Sequence, residues 1–393
     1  QISEELSPTP LRMFARAFRN VAPVARAAGG CAAASAVTLS QVSHAEADPT
    51  LAFAGSAAAA LLAFAAFSNN AKQQSAEDRL ASLEVRAAKA ESQAFVFIKP
   101  HAVTDAVKDV VKSNFAKHGI KVVAEGTIGG KAIDEKMYID NHYGAIAAKA
   151  VKMKPAELAP SDKAMGAFKK AFGMSWAEAL AKGLVYNAAD GCKKLNIDGD
   201  ALDGKWSTLK RDVTLIKFGG GFYCGQVDGI FIINGFYMSM RGKYTDPAAA
   251  IHYLQVEWPT ANLSWGDFRG KVLGATSPNE ANPGSLRRLI FDDWKRLGLP
   301  ALPDTGDNGV HASASPFEAM AERLNWCGAT VETDTFGKGL LAAGLSKKTI
   351  MEWTQDPQVN VGAGSASLFD SLEDLSADDC LEKAAAINLL NKK

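Results

Sequence analysis

The run Asn308-Gly309-Val310-His311-Ala312-Ser313-Ala314-Ser315-Pro316-Phe317-Glu318 sets a histidine just ahead of a helix start. Ser315 fits the N-cap, Pro316 the first helical position, and Glu318 the third position of a capping box. An imidazole there lies in a field that favours anions. A neutral ring in such a place is a nucleophile toward phosphorus. Glu322, farther along the same helix, is spaced to hydrogen-bond the second ring nitrogen, fixing the tautomer and stabilising charge on the ring. The plainer reading is a histidine that merely sits beside a cap.

Other stretches must position that chemistry. Gly274-Ala275-Thr276-Ser277-Pro278 is followed by Pro283-Gly284-Ser285-Leu286-Arg287, two turn-forming runs that each carry a polar or cationic side chain. Farther upstream, Phe95-Val96-Phe97-Ile98 is a short apolar run typical of a buried strand, and Lys99-Pro100 ends it. Val103, Val107, Val110, Val111 and Phe115 then recur at helical spacing, with Gly119 as the stop. Ile120 to Ile128 reads as a second strand, and Asn141-His142-Tyr143 falls in a helical stretch after it.

Together the Gly-x-Thr-x-Pro turn, the Pro-Gly-Ser-x-Arg turn, the Asn-x-x-His-x-Ser run and the strand ending in Lys-Pro resemble the nucleoside diphosphate kinase family. The resemblance covers Phe95 to Met153 and Ile251 to Trp326. It implies an α+β fold, a ferredoxin-like antiparallel sheet with helices. It also implies ping-pong transfer of the γ-phosphate of a nucleoside triphosphate through His311 to a second nucleoside diphosphate, with Mg2+ screening the phosphates. Under the resemblance His311, Glu322 and Ser313 are the catalytic residues. Lys99, Tyr143, Arg269, Thr276, Arg287 and Asn308 are the nucleotide-binding ones, and no side chain is assigned to a metal. Arg269 falls one residue early for its expected place, which Gly270 occupies; a small bulge restores it. His101 stands where the family carries an aspartate and reads as a change behind the site. His118 is expected to serve its helix C-terminus, and His142 and His252 to pack or hydrogen-bond. A non-catalytic, kinase-like scaffold subunit of an organellar membrane complex is the alternative from another class.

The 393 residues carry no formal net charge, which gives no support for a nucleic-acid partner. Five scattered cysteines with no Cys-x-x-Cys pair indicate neither a disulfide framework nor a zinc site. Residues 1–49 read as a leader: from Met13 to Ala45 there is no acidic residue, while Arg16, Arg19 and Arg26 recur, as in a mitochondrial presequence. Thr50 to Ser68 is uncharged over a bilayer's length and is expected to anchor the chain in the mitochondrial inner membrane, a cleaved sorting signal or buried helix being the alternatives and a plastid address the other destination. Ala71 to Gln93 reads as a helical spacer, and residues 94–326 as the kinase-like domain.

Within that domain, Pro155 to about Pro247 is an insertion expected to form an α/β subdomain. Ala164 to Lys182 looks like one helix. Val213 to Phe218 and Phe222 to Gly225 flank a Gly219-Gly220-Gly221 turn; the triple glycine lacks the Gly-Lys-Ser/Thr of a phosphate loop. Gly229 to Tyr237 reads as a strand pair or bulged strand. Cys327 to Lys393 is expected to be a helical tail with Ser346 as one cap and an acidic, solvated face. The long loop from Leu289 to Asp307 and the insertion argue for a homo-oligomer other than the family's usual hexamer, if the chain self-associates.

Overall fold

The computed structural model describes residues 77–78, 80–86, 90–219 and 221–392. The chain divides into two compact units, residues 1–18 with 83–393, and residues 19–82. Of the second, the described residues 77–78 and 80–82 are helical. The leader with Cys31 and His44, the apolar stretch from Thr50 to Ser68 and Gly220 lie outside the described residues. Among the described residues no helix is long and apolar enough to cross a membrane.

The larger unit is built on four antiparallel strands: β1 (Glu91–Ile98), β2 (Lys121–Gly129), the later strand Ala250–Pro259 and the short strand Val310–Ala312. In order of the chain they are first to fourth, and across the sheet they run second, third, first, fourth. With α1 (Asp105–Lys117) after the first strand and the helix Leu286–Asp292 after the third, this is the ferredoxin-like α+β arrangement. The central strand explains the unbroken apolar run, because both its faces are covered. Ala94, Val96 and Ile98 join Val107, Val111, Phe115, Leu286 and Ile290 in one core. Phe95 and Phe97 point the other way, to Ile133, Ile139, Tyr244 and Trp326. His118 ends α1 with its Nδ1 2.9 Å from the Asn114 carbonyl.

On that second face lie α2 (Gly130–Glu135) and α3 (Tyr138–His142). The chain then leaves the sheet for a second, four-stranded layer. It begins with α4 (Asp162–Phe172) and α5 (Trp176–Ala181), where the sequence suggests one continuous helix. Gly173 takes φ +70 as a left-handed C-cap, and Ser175 with Glu178 makes a reciprocal capping box that starts the second helix. β3 (Val185–Asn187), α6 (Ala188–Leu195) and α7 (Gly199–Trp206) follow. Then come β4 (Leu215–Gly219), β5 (Phe222–Val227) and β6 (Ile230–Ile233), with strands ordered β3-β6-β5-β4. Residues 230–237 therefore hold a single strand, not a strand pair. Asp228 and Gly229, both at positive φ, make the two-residue turn into it, and Asn234 at φ +50 ends it. Alternate residues of β6 feed two cores, Phe231 and Ile233 on one face and Ile230 and Ile232 on the other.

α8 (Tyr237–Thr245) returns the chain to the first sheet, whose remaining members are β7 (Ala250–Pro259), α9 (Leu286–Asp292) and β8 (Val310–Ala312). α10 (Pro316–Cys327) starts as its residues require: Ser315 Oγ accepts from the Glu318 backbone N–H, and Pro316 sits at the first position. The reciprocal half of the expected capping box is replaced, because the Glu318 carboxylate takes its backbone hydrogen bond from Ala314.

The tail packs on α10 rather than extending from it. Phe317 and Met320 share a core with residues of α11 (Thr335–Ala342), α12 (Lys347–Trp353), α13 (Leu368–Leu372) and α14 (Ala377–Asn391). Ser346 caps α12 by accepting from the Thr349 N–H. Arg323 on α10 is tied to Asp334 at 2.7 Å, and both side chains are buried.

Candidate functional site

His311 is the middle residue of β8, paired directly with Phe97 of β1. Val310 and His311 face opposite sides of the sheet, so burying Val310 in the first core turns the imidazole onto the Phe97 face, where the rings stack 4.7 Å apart. Gly309, at φ +85, allows the approach: a Cβ there would meet Ile290 at 2.9 Å.

α10 delivers the carboxylate. His311 Nε2 lies 2.6 Å from Glu322 Oε1, and Ser313 Oγ donates to Glu322 Oε2. Ser313 Oγ also accepts from the Phe95 backbone N–H at 3.0 Å, which locks β1, β8 and α10 together at the site. An ionised carboxylate accepts only, so with Glu322 ionised the imidazole proton sits on Nε2 and Nδ1 keeps its lone pair. Nδ1 has no hydrogen-bond partner among the described residues. Burial, then the Lys99, Arg287 and Arg269 cations, hold His311 well below the ordinary histidine value. Burial pushes Glu322 up to about 7, while His142 and the Ser313 hydroxyl pull it back.

The surrounding side chains are cationic. Lys99, just past β1, donates to the Gly306 carbonyl at 2.7 Å; its pKa is drawn down to about 7, first by burial and then by Arg287. Arg287 on α9 donates to the carbonyls of Gly274 at 2.8 Å and Val310 at 3.2 Å, and burial followed by Arg269 pushes it down to about 10. Neither cation has an ion-pair partner among the described residues. Gly274 takes φ +89, and a Cβ there would strike Ser285, so the turn that receives Arg287 requires glycine.

Asn308 is buried. Its Nδ2 donates to the Thr276 carbonyl at 3.0 Å, and its Oδ1 is buried with no partner. Thr276 itself is exposed at the rim. Tyr143 ends α3, hydrogen-bonds Tyr244 of α8, and is pushed up to about 12 by burial. Arg269 lies in a π-helical turn, Phe268–Leu273. Its guanidinium carries charge to within electrostatic reach of His311 and Arg287, but pairs with Glu373 and Asp374 of the tail. His101 accepts from the Gly309 N–H at 3.1 Å and holds the loop behind His311.

Three neighbours were invisible to motif reading. His142 has Nδ1 3.3 Å from Glu322 Oε1, and its ring meets that of His311 edge-on at 4.6 Å. It is thus part of the site, not only a packing residue. Burial draws it down to about 3, keeping it neutral. Lys243 and Tyr244, from the helix that closes the insertion, reach Asp307 and Tyr143. Their partners lie far off in sequence, so no spacing could announce them. His252 bridges Glu125 and Thr127 on β2, away from these groups.

No family model matches the chain, and no curated protein matches it. Solved structures do. An NDP kinase from Pyrobaculum aerophilum is 19% identical, with 60% of this chain and 95% of that one covered, at a TM-score of 0.29. The apo nucleoside diphosphate kinase from Encephalitozoon cuniculi is 13% identical, with 67% and 99% covered, at 0.30. A transition-state mimic of the Borrelia burgdorferi nucleoside-diphosphate kinase with vanadate and ADP is 16% identical, with 60% and 87% covered, at 0.28. The functional reading rests on the site's own geometry.

Proposed function

We propose that the chain is a nucleoside diphosphate kinase working through phosphohistidine at His311. The observation that carries the reading is the pairing of an imidazole held at Nε2 by Glu322 with cations that lack carboxylate partners, Lys99 and Arg287. Holding such partly buried cations with no carboxylate in ion-pair contact is costly, Asp307 and Asp304 acting on Lys99 only through space, and a polyphosphate supplies the missing charge. In the first half-reaction the Nδ1 lone pair attacks the γ-phosphorus. The bond to the bridging oxygen breaks, and the nucleoside diphosphate leaves with that electron pair. The Nε2 proton stays in place, and Glu322 stabilises the charge that develops on the ring. In the second, a terminal β-phosphate oxygen of another nucleoside diphosphate attacks the phosphohistidine and Nδ1 recovers its pair. Lys99 and Arg287 hold the phosphates, and the unpartnered Asn308 Oδ1 accepts a sugar hydroxyl.

Magnesium fits as part of the nucleotide substrate, screening its phosphates. The histidines and single carboxylate beside His311 are not the oxygen-rich set that binds magnesium directly. The alternative, a non-catalytic scaffold, draws on the engagement of Arg269 by the tail. Incubation with γ-labelled ATP decides between them. An acid-labile label that added dTDP removes supports the kinase; no label, or one that survives acid, overturns it.

The lysine makes a second test. With the pKa of Lys99 near 7 in the free protein, the amine is mostly neutral at pH 8. A bound phosphate favours the ammonium and raises that pKa. Binding of ADP at pH 8 is therefore expected to take up close to ~1 proton, and at pH 6, where the amine is already charged, close to none. Affinity falls as pH rises through 7 to 9. Calorimetry in buffers of different ionisation enthalpy reads the uptake, and observed heats at pH 8 that do not vary with the buffer would remove Lys99 from the phosphate site.

A further inference from the structure

Of the three cations whose field reaches His311, namely Lys99, Arg287 and Arg269, only Arg269 is ion-paired among the described residues. Its Nη1 lies 2.7 Å from Asp374 Oδ1 and its Nη2 lies 2.7 Å from Glu373 Oε1, so both arms of the fork are occupied. The two carboxylates come from the turn between α13 and α14. That turn is held from three directions. Leu372 before it and Ala377 after it are buried in the tail core. The Asp374 backbone N–H donates to the Ala314 carbonyl at 3.0 Å, three residues beyond His311. Asp374 itself sits at φ +59, a left-handed conformation that aspartate tolerates better than most residues.

We propose that Glu373 and Asp374 act as a built-in stand-in for phosphate on Arg269, so that the tail and the nucleotide's phosphates compete for one guanidinium. The fork geometry that suits two carboxylate oxygens also suits phosphate oxygens. Two carboxylates against one guanidinium leave a local charge of −1, which turns an attractive corner of the pocket into a repulsive one. Asp374 is half exposed while Arg269 is one-third exposed, so the outer carboxylate is the one a phosphate displaces first. Exposed ion pairs of this kind are weak, which makes the contact exchangeable rather than permanent. The inference rests on the kinase reading only for its choice of nucleotide as the competing anion.

Titration of the full chain with ADP by calorimetry tests it, comparing wild type, E373Q/D374N, R269Q and the combined triple variant. The double variant is expected to bind ADP roughly 5- to 20-fold more tightly, the size expected for releasing a charge-assisted contact. R269Q is expected to weaken binding, and the double change to add nothing in its background. Unchanged or weaker binding in the double variant, or the same gain without Arg269, overturns the proposal. D374N alone, altering a half-exposed side chain, gives a smaller gain in the same direction and serves if the double variant folds poorly. In steady state the KM for nucleotide falls while kcat changes less than ~2-fold, a split that a purely structural contact would not produce. The two readings fail separately. Tighter ADP binding without an acid-labile label upholds the stand-in and rejects the kinase; a label with no gain in affinity does the reverse.

Discussion

His311→Ala is expected to lose the proposed phosphotransfer, with turnover falling roughly 10⁴-fold or more, while ADP binding is expected to change by less than ~3-fold. The split follows from the division of labour at the site. Under the proposed mechanism the imidazole alone forms the bond to phosphorus, whereas Lys99, Arg287 and Asn308, whose hydrogen bonds come from other elements, are assigned to the nucleotide. None of these takes its hydrogen bond from His311, so the phosphate cradle outlives the ring. The variant also releases Glu322 from its 2.6 Å contact, but Ser313 still donates to that carboxylate and the β1–β8 pairing is made by backbone. Folding is therefore expected to be kept, and a melting curve near that of the wild type is the check that the loss is chemical. The decisive readout is the label from γ-labelled ATP. It disappears in His311→Ala and is acid-labile in the wild type; a label that persists in the variant places the nucleophile elsewhere.

The fold was legible where both partners of an interaction lie close in sequence. The Ser315-Pro316 helix start, the Gly119 stop and the apolar run of β1 follow from local rules, and the sheet they build is antiparallel, as expected. The break between α4 and α5 was also written locally, in Gly173 and the Ser175 to Glu178 capping box, but the four-residue spacing of Phe168, Phe172, Trp176 and Leu180 masks it.

What local rules could not reach were long-range polar contacts. An acidic tail face reads as solvated because exposure is the commonest fate of carboxylates. The ion pairs of Glu373 and Asp374 depend on where α13 comes to rest on α10. His142 is silent for the same reason, since Glu322 and His311 meet it only once α3 and α10 pack on the same face of the sheet.

Asp140→Ala is expected to couple the insertion to the chemistry. Asp140 is fully buried on α3, two residues before His142 and three before Tyr143. Its carboxylate accepts from Arg241 Nε at 2.9 Å and Nη2 at 3.0 Å, and from the Tyr237 hydroxyl at 3.0 Å, so two residues of α8 converge on it. Removing one partner of a buried pair costs about 3–5 kcal/mol when the other is left uncompensated. Arg241 also reaches Asp134 on an exposed side, which discounts the loss to about 2–4 kcal/mol. The catalytic consequence is separate from that cost. α8 also supplies Tyr244 to Tyr143 and Lys243 to Asp307, so freeing Arg241 and Tyr237 loosens the helix that steadies both ends of the site. His311 phosphorylation is expected to slow by roughly 10–100-fold, the range that misplacing a catalytic group produces. Asp140→Asn separates the two effects. The amide oxygen still accepts from Tyr237 and from one arm of Arg241, so much of the positioning survives while the charge is lost. The asparagine variant should melt well below the wild type yet phosphorylate His311 within ~5-fold of its rate at a temperature where both are folded. If alanine and asparagine slow labelling equally, charge rather than position is what Asp140 contributes. If neither slows it, α8 holds the fold together without bearing on His311.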